Sequence, residues 1–78
     1  MRKYPARYRA VISALRDARQ KKGVSQRELS ERLGEVHNYV NVIEKGQRSV
    51  LAEEFIEICL ALDVDPHDVL SRVLKRKT

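Results

Sequence analysis

Apolar residues along this chain recur at steps of three and four, the spacing of helices that bury one face. Tyr8, Val11, Ile12, Leu15 and Ala18 set the pattern first. They predict a helix that starts after Pro5 and stops at Lys21-Lys22-Gly23, with cations in its last turn and glycine at its end. A second helix opens at Ser25. The run Ser25-Gln26-Arg27-Glu28 reads as a capping box, in which the serine accepts from an N–H three residues on and Glu28 reaches back. Leu29 and Leu33 lie one turn apart on its buried side, and Gly34 ends it. A third helix is predicted from about His37 to Lys45, with Val36, Val40 and Ile43 facing inward and Asn38, Asn41, Val42 and Lys45 pointing elsewhere. Gly46 closes it. After the loop 47–50, a fourth helix over about Leu51 to Leu62 is expected to pack through Phe55, Ile56, Cys59 and Leu62. Asp65 is a good N-cap and Pro66 a good first-turn residue for a fifth, whose stripe is Val69, Leu70, Val73 and Leu74.

The expected architecture is therefore all-α: a compact five-helix single domain over residues 1–78, with no linker long enough to divide it. With 42% hydrophobic and 35% charged residues, the chain reads as a small soluble globule rather than a disordered tail. No apolar run approaches the ~18 residues of a membrane span, and no continuous apolar segment follows the basic N-terminus, so neither a membrane role nor a secretory leader is expected. A lone cysteine, Cys59, allows no internal disulfide and suits a reducing, cytoplasmic setting.

Charge changes the picture more. Residues 1–48 carry twelve Lys/Arg against five Asp/Glu, a net +7, whereas residues 49–78 carry four against six, a net −2. One end of the molecule is built to face a polyanion and the other is not; nucleic acid is the first candidate. The informative unit is about 25–46: two short helices joined by a tight turn at Gly34-Glu35-Val36, the helix-turn-helix spacing in which the second helix enters the DNA major groove.

Three motifs in order carry a family resemblance. Residues 15–34 (LRDARQKKGVSQRELSERLG) look like the opening of the lambda-repressor-like, XRE-type helix-turn-helix domain. Val40-Asn41-Val42-Ile43-Glu44-Lys45-Gly46 resembles its isoleucine–glutamate–basic–glycine close, and residues 55–65 (FIEICLALDVD) its fourth helix and following turn. The resemblance implies base contacts from His37, Asn38 and Val42, joined by Tyr39 and Asn41, on the recognition helix. It implies backbone contacts from Gln26, Lys45, Gln47 and Arg48, and an ion pair between Arg19 and Glu44. Arg27 is added to the backbone set on charge. Val36 and Glu35 depart from the pattern, which usually places Ser or Thr before the recognition helix and a small apolar residue ahead of that.

Each assignment has a plainer alternative. Asn38 suits adenine by donating and accepting together, but an asparagine there can also cap a helix. His37 can read a base, donate to phosphate or cap. Val42 is sensible against a thymine methyl, and Tyr39 can simply pack. Arg2, Lys3, Arg7 and Arg9 form a basic arm over about residues 1–7 and just beyond, or a solvated charge run. Arg16, Lys21, Lys22, Arg27 and Arg32 are left unsorted. Cys59 reads as a core residue. Cys59, His37 and His67 lack zinc-ligand spacing, and Asp65 and Asp68 are explained by capping. No metal, cofactor or enzymatic activity is expected.

The function expected is a sequence-specific double-stranded DNA-binding transcriptional regulator, a repressor acting as a homodimer on an inverted-repeat operator. Leu60 and the Val69, Leu70, Val73, Leu74 stripe exceed what a small core covers, which favours self-association. The alternatives are a protein-interaction module such as an antitoxin, with a toxin or polymerase as partner, and a non-specific DNA-binding protein.

Overall fold

A computed structural model describes residues 4–75 of the 78. Five helices follow in order: α1 (Ala6–Lys21), α2 (Gln26–Arg32), α3 (Tyr39–Glu44), α4 (Ala52–Ala61) and α5 (Pro66–Lys75). Among the described residues there is no strand. α1 packs against α5 and α3, and α2 against α3 and α4, so every helix presents a face to one core. Ile12, Leu15 and Ala18 enter it from α1, Leu29 from α2, Val40 and Ile43 from α3, Ile58 and Cys59 from α4, and Val69 and Val73 from α5. Leu62, just past α4, is also buried.

The helix ends reflect local chemistry. Ser25 accepts the Glu28 N–H at 3.0 Å, the first half of the capping box. The return half is not made, because the Glu28 carboxylate is taken by Arg32 at 2.9 Å, one turn on. After α2 the chain turns at Gly34, whose φ of +72° favours glycine, and the Glu35 N–H closes back onto the Ser30 carbonyl at 3.0 Å. The same wrap ends α4 through Asp63, with φ of +58°, and the Val64 N–H on the Cys59 carbonyl at 2.9 Å.

Three packing expectations are corrected. Val36 is 68% exposed rather than inward: α3 begins at Tyr39, so Val36 lies in the turn, and Tyr39 takes the place it was expected to fill. On α4, Ile56 is exposed and Ile58 buried, because the inward phase runs Phe55, Ile58, Cys59 and Leu62 at steps of three, one and three, leaving Ile56 off the stripe. On α5 only Val69 and Val73 reach the core; Leu70 and Leu74, one position further round the helix, face out. Leu60 is exposed, as its helical position implied.

Candidate nucleic-acid interface

α2 and α3 are locked together by a residue that periodicity did not single out. Ser30 is fully buried; its hydroxyl donates to the Gln26 carbonyl at 2.9 Å and accepts the Val40 N–H at 3.1 Å. That N–H belongs to the first turn of α3 and has no partner within its own helix. Asn38, at the N-cap position of α3, makes no side-chain cap bond. Ser30 therefore caps α3 from the neighbouring helix, which removes the need for Ser or Thr at the position of Val36. The signal in the sequence was a small polar residue beside Leu29 on a helix expected to bury that side.

A second lock runs across the outer edge of α3. Arg19, buried on α1, donates to both oxygens of Glu44, Nε to Oε2 at 2.8 Å and Nη2 to Oε1 at 3.0 Å, and Nη1 donates to the Val24 carbonyl at 2.8 Å. The expected pair is thus formed in the forked geometry that guanidinium and carboxylate share. Gln26 Nε2 donates to Glu44 Oε1 at 2.8 Å, and Asn41 Nδ2 donates to Gln26 Oε1 at 3.1 Å. The chain Arg19–Glu44–Gln26–Asn41 orients two side chains predicted to face a ligand.

The other predicted residues separate by access. His37 and Asn38 are exposed just before α3, and Asn41 and Val42 are half-buried on it. Tyr39 is packed, at 8% exposure, with the Arg48 guanidinium 5.0 Å from its ring centroid. Lys45 and Gln47 are exposed beyond α3. Arg27 is exposed and pairs loosely with Glu31 at 3.5 Å.

Arg48 is held by Glu54 of α4 through two bonds, Nη1 to Oε1 at 3.0 Å and Nη2 to Oε2 at 2.8 Å. The hydrogen bonds from Arg48, together with the Leu51 N–H at 2.9 Å, hold the Glu54 carboxyl down at about 2. The same carboxylate pushes the Arg48 pKa up. Tyr8 adds a tie from α1: its hydroxyl accepts the Val50 N–H at 3.1 Å and donates to the Arg48 carbonyl at 3.5 Å. Burial pushes the Tyr8 and Tyr39 phenols up. Neither Tyr8 nor Glu54 was expected at the edge of the site, because both belong to helices distant in sequence from α3.

The basic arm is covered in part. Arg7 and Arg9 lie exposed on α1, while Arg2 and Lys3 fall outside the described residues. Cys59 is fully buried, and burial pushes its thiol up to about 11, so it is protonated and packed.

A short α2, a glycine turn and an α3 whose outer edge is polar match a helix-turn-helix layout, and a helix-turn-helix family model matches residues 15–69. The chain belongs to the XRE-type helix-turn-helix family. Solved relatives agree. An XRE-family-like protein from Pseudomonas syringae pv. tomato is 35% identical, covering 88% of this chain and 86% of its own, with a TM-score of 0.82. The clp gene regulator ClgR from Corynebacterium glutamicum is 34% identical over 91% of this chain and 92% of its own, at a TM-score of 0.79. The restriction-modification controller protein C.AhdI from Aeromonas hydrophila is 32% identical over 83% of this chain and 98% of its own, at a TM-score of 0.73. No curated protein matches the sequence.

This XRE-type protein is a DNA-binding transcriptional regulator by family, and not an enzyme. Double-stranded DNA is its ligand class. No described helix is long and apolar enough to cross a membrane.

Proposed function

We propose that this regulator acts as a cytoplasmic homodimer that represses by occupying an inverted-repeat operator and excluding polymerase. The observation that carries the reading is the edge of α3: it is capped by Ser30 and braced by Glu44 through Gln26, while His37 and Asn38 stand exposed at its start. A rigid helix with free polar side chains at its N-terminal end suits the major groove. Base reading is assigned to Asn38, His37, Asn41 and Val42, with Tyr39 supporting Arg48 from below. Backbone contacts are assigned to Gln26, Arg27, Lys45, Gln47 and Arg48. The exposed apolar residues Leu51, Ile56, Leu60, Leu70 and Leu74 lie on or beside α4 and α5 and support self-association. A two-fold dimer would set its recognition helices about 34 Å apart, one turn of DNA.

The test is selection of bound duplexes from a random pool at about 150 mM salt, with solution mass measured with and without the selected DNA. A palindrome with half-sites about ten base pairs apart and a dimeric mass support the reading. Asn38→Ala should then cost about 1–3 kcal/mol on that duplex, with the loss centred on one base position. A monomeric mass with and without DNA removes the dimer. Binding without enrichment leaves a non-specific DNA binder.

One observation favours a protein partner, such as polymerase or a toxin, beside DNA. Glu35, Glu53, Glu54 and Glu57 line a cleft with Leu33 and Leu60 on the opposite side of Tyr39. Recovery of a stoichiometric basic protein with the purified chain, lost in Glu53→Lys/Glu57→Lys, would support that reading.

A further inference from the structure

The cations left unsorted by sequence separate by their partners. Arg19, Arg27, Arg32 and Arg48 are each engaged by a carboxylate. Arg9, Arg16 and Lys45 form no ion pair among the described residues, and the three line one cleft of about 240 Å³ between α1 and the end of α3. Its walls include Tyr4, Tyr8 and Ile12. Arg9 donates to the Tyr4 carbonyl, a neutral acceptor that leaves its charge uncompensated. The one acid in the lining is Glu44, and its oxygens are already taken by Arg19 and Gln26. The cleft therefore holds three positive charges beside largely apolar walls, an arrangement that focuses the field on an anion. It is continuous with the recognition edge: Glu44 and Lys45 line it, and Glu44 bonds to Gln26 at the start of α2.

We infer that Arg16, together with Arg9 and Lys45, forms a duplex-phosphate subsite that extends the DNA footprint from α3 onto α1. It rests on the DNA-binding reading. The subsite carries no base information; it fixes the register of α3 in the groove. Arg48, the other cation near that edge, is held by Glu54, so Arg16 supplies charge that Arg48 shares with a carboxylate.

The experiment uses the full chain and a labelled mixed-sequence duplex of about 30 base pairs, with affinity followed from about 50 to 200 mM salt. Arg16→Ala is expected to lower the steepness of the log-affinity against log-salt line by about 0.9, the share of one phosphate contact. The deficit against wild type should then shrink by about 3.5-fold across that fourfold rise in salt. Arg16→Lys should keep the wild-type slope, because it keeps the charge. Arg72→Ala, on α5 beside Asp63, Asp65 and Asp68, should also keep it. If wild type binds and Arg16→Ala keeps its slope, or Arg72→Ala changes the slope as much, the subsite is overturned and the DNA reading stands. If wild type fails to bind duplex even at the lowest salt, the DNA reading falls and the subsite with it. A melting curve on each variant separates loss of contact from loss of fold, and Arg16→Gln repeats the test should the alanine variant melt early.

Discussion

Ser30→Ala removes one oxygen atom and changes almost nothing else in volume, yet it should loosen the recognition helix. In wild type the Ser30 hydroxyl accepts the Val40 N–H at 3.1 Å and donates to the Gln26 carbonyl at 2.9 Å. The carbonyl is the lesser loss, since it lies within α2 and can accept from the helix backbone. The N–H is the greater one: it is in the first turn of α3, shielded from water, and nothing else caps that turn. Leaving a buried donor unsatisfied costs about 1–3 kcal/mol, and alanine recovers about 0.5 kcal/mol in helix propensity. The net expectation is a loss of about 1–2 kcal/mol, a sizeable fraction of the ~5 kcal/mol at the low end for small domains. Urea denaturation of both proteins measures it, read as a lower midpoint at unchanged slope. Affinity for a selected duplex should fall further than stability alone explains, because α3 must then be ordered on binding. A stability within about 0.5 kcal/mol of wild type would show that the cross-helix cap does not hold α3, and would remove the physical basis for a rigid recognition edge.

Three further outcomes follow from the same contacts. Glu44→Ala strands the buried Arg19 guanidinium and should cost about 3–5 kcal/mol in urea denaturation, whereas a paired Arg19→Met/Glu44→Leu replacement should recover much of it. Gly34→Ala should cost about 1–2 kcal/mol from its positive φ alone, since an added Cβ meets no atom within 4 Å; a neutral result in thermal melts would show that the turn relaxes. Glu54 has its carboxyl held below the ordinary range, at about 2, so its stabilisation is present above about pH 4.5 and is lost as pH falls toward 2. Because the pair is partly exposed, that contribution is about 1 kcal/mol, and Glu54→Gln should flatten acid denaturation by this amount.

Five helices and their order were legible in the sequence, because each reports itself through local spacing, a cap and a stop. The buried sides of α1 and α2 followed from the same periodicity. So did the Arg19–Glu44 pair, though through resemblance rather than spacing, since no local rule links residues that far apart. Periodicity erred where a helix was shorter than its pattern or its stripe too wide. Val36 fits the inward phase of α3 but precedes its first turn. Ile56, Leu70 and Leu74 are apolar enough for the core but stand one position off the contact line. A stripe states which residues can be buried, and only the neighbouring helix states which are.

The recognition edge divides in the same way. Residue type and register alone place His37, Asn38, Asn41 and Val42 on or before one short helix after a glycine turn. That much is local, because the turn and the helix are written in adjacent residues. Which of their partners hold them is a matter of packing between distant segments: Ser30 supplies the cap that Val36 cannot, Glu44 aligns Gln26 and Asn41, and Glu54 claims Arg48. Arg16 and Lys45 stand 29 positions apart in the sequence, and they meet in one cleft only because α1 lies across the end of α3. Backbone geometry propagates over a few residues, whereas hydrogen bonds and fields act through space.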